Sequence, residues 1–179
     1  ELAVGSPFDY KNCTLLYLLT DIPEPNQPGY QRMLEQAIVD TAVTLGGRTL
    51  VLFTANNHLN QTASAIESQL TRHNIITLAQ GGGMSRQQLV EQFRREGGRS
   101  VLLGTRSFWE GVDIPGPALT ALLIAKLPFD VPSDPIFAAR SETYENPFFE
   151  YSIPEAVLRF RQGFGRLIRR GSDEGIVIC

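Results

Sequence analysis

Five arginines crowd one tract near the carboxyl end of the chain: Arg159, Arg161, Arg166, Arg169 and Arg170. A guanidinium is permanently charged and presents its donors as a planar fork, so such a group of side chains suits phosphoryl oxygens. The spacing predicts a helix over residues 155–171. At about 100° per residue, Val157, Phe160, Phe164, Leu167 and Ile168 gather on one side, whereas Gln162, Arg166 and Arg169 fall on the other with Arg159 and Arg170 beside them. A solvated basic face on an amphipathic helix has the same pattern. A second polar run, 104–116, follows a short apolar stretch. Thr105 and Ser107 there offer hydroxyls that suit nucleic-acid phosphates. Gly111 allows close approach of backbone to a ligand, and Asp113 can accept from a ribose hydroxyl or hold an arginine. Phe108 and Trp109 are expected in the core, because large aromatics bury most of their surface. Glu110 is suited to capping a short helix.

Short apolar runs separated by helical patterns must position these groups. Strands are expected at 14–19, 49–53, 75–79, 100–104, 120–127 and 175–178. Between them, Tyr30, Met33, Leu34, Ala37, Ile38, Ala42 and Leu45 keep helical spacing up to Gly46-Gly47. Further helices are expected at 59–70, 87–95 and around 136–144. Continuous apolar strands alternating with helices imply an α/β fold, with a mostly parallel sheet covered on both faces. In such sheets binding residues collect in loops at the carboxyl ends of strands.

Composition excludes several classes. The 179 residues are 42% hydrophobic with a formal net charge of -3, enough for one core and too acidic for nucleic-acid binding by bulk charge. Cys13 and Cys179 are too few for a disulfide or metal framework, and a reducing cytoplasm is the expected compartment. His58 and His73 lack partners at ligand spacing, so no metal site is expected in this chain. No apolar run approaches the length of a membrane span. Gly81-Gly82-Gly83 reads as a turn, because no Gly-Lys-Ser/Thr follows to make a phosphate loop. The chain opens without an initiator methionine and closes inside an apolar run, as expected of a piece of a longer protein.

The spelling of the two polar tracts carries a resemblance. Gln162-Gly163-Phe164-Gly165-Arg166-Leu167-Ile168-Arg169 resembles the sixth motif of superfamily 2 helicases, Q-x-x-G-R-x-x-R, and its Leu-Ile-Arg ending resembles the DinG/XPD branch. Phe108-Trp109-Glu110-Gly111-Val112-Asp113-Ile114-Pro115-Gly116 resembles the fifth motif of that branch. The tract 48–56 resembles the fourth, with Ala55 and Asn56 replacing the usual serine and aromatic, which leaves Thr54 as the DNA-contact candidate. The tract 125–135 also matches the branch, without an assigned chemical role, and Gly5 to Tyr10 matches the segment after the third motif.

The resemblance implies a RecA-like domain, the second motor half of an ATP-dependent 5′–3′ DNA helicase. Residues 1–28 would lead in from the first motor domain. Arg169 would be the principal arginine finger and Arg166 its partner, with Gln162 contacting the γ-phosphate or orienting the attacking water. Gly111, Asp113 and Gly165 would lie against nucleotide, while Thr54, Thr105 and Ser107 would touch single-stranded DNA. ATP with Mg2+ would be shared with the N-terminal motor domain of the same polypeptide, since neither a Walker lysine nor an Asp-Glu-x-His box is present here. Three rivals stand beside this reading: a DinG-like protein fused to an exonuclease, a non-catalytic nucleic-acid-binding module of the same fold, and a plain structural domain, which leaves the spelling at 107–116 unexplained.

Overall fold

Every apolar run read from the sequence forms a strand: β1 (Thr14–Tyr17), β2 (Thr49–Leu52), β3 (Ile76–Ala79), β4 (Ser100–Gly104), β5 (Ala121–Ile124) and β6 (Gly175–Ile178). The computed structural model describes residues 8–96, 98–109, 114, 118–131 and 133–179. The strands pair only in parallel, in the order β1-β6-β5-β2-β4-β3. Parallel neighbours need crossovers, and helices supply them. The helices are α1 (Tyr10–Cys13), α2 (Tyr30–Leu45), α3 (Asn56–Arg72), α4 (Arg86–Arg95), α5 (Arg106–Trp109), α6 (Pro135–Ser141) and α7 (Ile153–Phe164), the last preceded by a π-helical turn, Phe148–Ser152.

The central strands β2, β4 and β5 are buried at every position, which explains their unbroken apolar spelling. Alternate side chains feed two cores. Val51, Leu103 and Leu123 pack with Ile38 of α2 and Ile66 of α3 on one face. Leu50, Leu52, Leu102 and Leu122 pack on the other with Phe93 of α4, Phe108 and Trp109 of α5, and Leu167. Each fully buried side chain of this kind contributes about 1.5–3 kcal/mol. The two layers therefore hold the strand ends, and the loops that leave them, in fixed relation.

The last helix departs from the sequence expectation. It stops at Phe164 rather than reaching 171, so a single helix face does not carry Gln162, Arg166 and Arg169. Only Gln162 lies on α7; Arg166 follows in a turn and Arg169 in the irregular segment beyond it. Gly163 and Gly165 weaken the end of the helix. Beyond it, the Asp173 carboxylate accepts from the backbone N–H of Arg169 (3.0 Å) and of Arg170 (2.9 Å), offering these donors an alternative to helical carbonyls. Leu167 and Ile168 turn into the core, Leu167 occupying space that a side chain at Gly175 would need. The packed face differs as well. Ala156 and Gly163 are buried, whereas Val157, expected on the apolar stripe, is half exposed.

Candidate functional site

The short helix α5 joins the two polar tracts. It forms directly after β4, where the chain turns over a strand end, and close approach is possible because of two glycines. A Cβ on Gly104 would collide with the Phe108 ring, and one on Gly163 would meet Trp109 Cε3 at 2.9 Å. Trp109 thus lies close against the end of α7, and its indole N–H donates to the Phe53 carbonyl (3.2 Å) at the carboxyl end of β2. Both aromatics are buried, as their types led one to expect.

Arg166 fastens to the same point. Its Nε donates to the Trp109 carbonyl (3.3 Å) and to the Gln162 carbonyl (3.2 Å). The arginine turn, α5 and the end of β2 are therefore consecutive in space, although they span residues 53 to 166. Gln162 is exposed, and Arg166 and Arg169 are partly buried. Gly165 closes α7 as its carboxyl cap, donating its N–H to the Arg161 carbonyl (2.9 Å). Gly111 and Asp113, with residues 110, 112 and 115–117, lie outside the described residues.

The three candidate hydroxyls meet different fates. Thr54 is exposed just beyond β2. Thr105 is buried, and both its N–H (2.8 Å) and its hydroxyl (3.0 Å) lie on Gln80 Oε1. Ser107 is partly buried, and its carbonyl accepts from Arg86 Nη1 (3.1 Å). The loops after β2, β3 and β4 supply Thr54, Gln80 and Thr105, so the parallel sheet brings them to one edge.

Two contacts escape sequence reasoning. Arg159 Nη2 lies 2.6 Å from Asp130 Oδ2, and its Nη1 donates to the Pro128 carbonyl (3.3 Å), tying α7 to the tract that follows β5. No spacing rule links residues 29 positions apart, so this pair had no signal to find. The Tyr30 phenol donates to the Ala125 carbonyl. Burial pushes its pKa above the usual tyrosine value, and the hydrogen bond joins the end of β5 to α2. His58 and His73 are exposed, and among the described residues no group of three His, Cys, Asp or Glu side chains is placed to hold a metal ion. Among the same residues no helix is long and apolar enough to cross a membrane.

Residues 38–179 match the family described as the helicase C-terminal domain. The chain is 38% identical to the ATP-dependent DNA helicase YoaA of Escherichia coli, over 100% of this chain and 28% of that protein. It is 36% identical to the 3'-5' exonuclease DinG of Bacillus subtilis, over 99% of this chain and 20% of that protein. The chain thus spans about a quarter of the length of the curated relatives it matches. Among solved structures, an XPD helicase superposes with a TM-score of 0.65 at 17% identity, covering 92% of this chain and 31% of that one. That likeness establishes the RecA-like fold.

Proposed function

The chain belongs to the helicase C-terminal domain family, and from that premise we propose that it is the second motor half of an ATP-dependent DNA helicase. Arg169 acts as the principal arginine finger, Arg166 as its partner, and Gln162 contacts the γ-phosphate or orients the attacking water. Gly165, Gly111 and Asp113 lie against the nucleotide. Thr54 and Ser107 face single-stranded DNA, which the full-length protein follows 5′ to 3′, whereas the buried Thr105 hydroxyl is held on Gln80 and positions the loop after β4. The first motor half, joined through residues 1–28, supplies the phosphate loop and most of the Mg2+ coordination. Negative charge grows on the phosphoryl oxygens as the bond to the leaving group breaks, and guanidinium groups delivered across a closing cleft stabilise it.

The observation that supports this best is the seat of Arg166 on the Trp109 carbonyl. It ties the arginine turn to the loop after β4 and, through the Trp109 indole, to the end of β2 beside Thr54. A nucleotide contact and a strand contact joined by one rigid helix are what a motor needs to couple hydrolysis to stepping.

The test is Arg169→Ala in the full-length protein. DNA-stimulated ATP turnover should fall by about 10³-fold or more, with strand affinity and melting temperature nearly unchanged. Arg169→Lys should recover little, since a point charge does not reproduce the fork. Wild-type turnover in a folded Arg169→Ala protein would reduce Arg169 to a surface cation. A second reading, favoured by the Bacillus relative's name, is a helicase half that serves a fused exonuclease. Acidic metal-binding motifs upstream, together with weak turnover, would support it. A purely non-catalytic binding module leaves the joint presence of Gln162, Arg166 and Arg169 without a reason.

A further inference from the structure

The tract after β5 has no role in the reading above, yet its construction is unusual. Lys126, Leu127 and Phe129 are exposed while Pro128 between them is buried. The residues on both sides of Phe129 are clamped by one side chain: Arg159 takes the Pro128 carbonyl at 3.3 Å and the Asp130 carboxylate at 2.6 Å. The Phe129 N–H donates to the Leu127 carbonyl at 2.9 Å. The ring itself is stacked on Phe148, with centroids 6.0 Å apart and planes 19° from parallel. Phe129 and Phe148 keep 38% and 53% of their surface in water. A backbone held this firmly under an exposed, backed aromatic is preorganised for a flat ligand, because little ordering remains to oppose binding.

The neighbours point to the kind of ligand. Phe129 lines a cavity of about 160 Å³ whose wall includes Thr54, Trp109 and Arg159. Thr54 also borders a second cavity, of about 100 Å³, with His58 and Lys126. Along one edge of the sheet, an ammonium group, a hydroxyl and an aromatic platform thus occur in succession. Single strands are bound by this combination, with phosphates on polar and cationic groups and bases on aromatic faces. The carboxylates of the first cavity are already engaged. Asp130 is paired with Arg159, and Asp134 accepts from the backbone N–H of Ile136 (2.9 Å) and Phe137 (3.0 Å) at the start of α6. Asp130 is therefore charge-paired, and Asp134 is turned to the backbone at the start of α6.

We propose that Phe129, backed by Phe148, is a base-stacking platform for single-stranded DNA next to the Thr54 contact. The proposal rests on the reading of this domain as a strand-binding motor half. The test uses the full-length protein without nucleotide and a fluorescently labelled oligothymidylate, with dissociation constants measured by anisotropy at one fixed salt concentration. Phe129→Leu keeps apolar bulk and removes the ring plane, whereas Phe129→Tyr keeps the plane. Phe129→Leu should weaken binding by about fivefold to a hundredfold, and Phe129→Tyr should stay within about twofold of wild type. A 2-aminopurine base in the strand should be quenched by wild type and Phe129→Tyr, and markedly less by Phe129→Leu. Equal affinity and quenching for Phe129→Leu, with an unchanged melting temperature, overturns the platform and leaves the motor reading intact. Equal loss in both variants makes the position a packing site and also overturns it. Failure of the wild-type protein to bind the strand defeats the motor reading, and the platform falls with it.

Discussion

Thr54 and Thr105 are the same residue type, each just beyond a central strand, and each has a hydroxyl suited to a DNA phosphate. The fold separates them. Thr54 is open to solvent, whereas the Thr105 hydroxyl lies 3.0 Å from Gln80 Oε1 in a buried setting. An exposed hydroxyl can be lost at the cost of its ligand contact alone. A buried one takes a protein hydrogen bond with it, worth about 0.5–1.5 kcal/mol, although the Thr105 N–H still occupies Gln80 Oε1. In the full-length protein Thr54→Ala should therefore weaken binding to single strands with little change in melting temperature, whereas Thr105→Val should lower the melting temperature by several degrees. Melting curves beside strand affinities check this; a Thr105→Val protein that melts as wild type would leave its hydroxyl available for DNA. The sequence made all three hydroxyls candidates by type and position. It held nothing of the Gln80 contact, because that bond joins loops that follow two different strands and exists only once the sheet has formed.

Among the elements, the strands were legible and the end of the last helix was not. Continuous apolar runs such as 49–53 and 100–104 can be satisfied only by burial on both faces, so local spelling and tertiary setting agree. The tract 155–171 has helical periodicity throughout, yet α7 stops at Phe164. The deciding contacts are distant in kind from periodicity: Asp173 on two backbone N–H groups, Leu167 against Gly175, and Trp109 against Gly163. Gly163 gives the competition a sign. In a solvent-facing helix, Gly→Ala stabilises by about 1 kcal/mol through propensity. Here the new methyl would stand 2.9 Å from Trp109 Cε3 and 3.3 Å from Leu52 Cδ1. Overpacking of that kind costs about 1–3 kcal/mol. Gly163→Ala should thus destabilise the protein and, by displacing Trp109, loosen the seat of Arg166, lowering ATP turnover beyond what the melting shift explains. A melting temperature raised by the substitution would show that α7 has room to move away from α5.

At the scale of the whole molecule, the proposed function divides the chemistry between this chain and another element. The 179 residues carry arginines suited to a phosphoryl group but no Gly-Lys-Ser/Thr loop to bind the triphosphate, and a formal net charge of -3. An arginine finger lowers a barrier only for a nucleotide that another element has already placed. Purified as an isolated chain, residues 1–179 should show no ATP hydrolysis above background, even with saturating oligothymidylate. Strand affinity should be weak, because the negative net charge opposes a polyanion, and what binding there is should come from local contacts. Its logarithm should fall with the logarithm of salt concentration by about 0.7 for each phosphate neutralised. The isolated chain also exposes Leu15, Leu16, Tyr17 and Leu18, each at 55–59% of its full surface, with β1 at the edge of the sheet. Unpaired backbone beside exposed apolar side chains invites association, so the measurements call for dilute protein checked by sedimentation. Steady turnover by monomeric chain, proportional to its concentration and removed by Arg169→Ala, would mean that a complete ATP site lies within these residues and that the division between two motor halves is wrong.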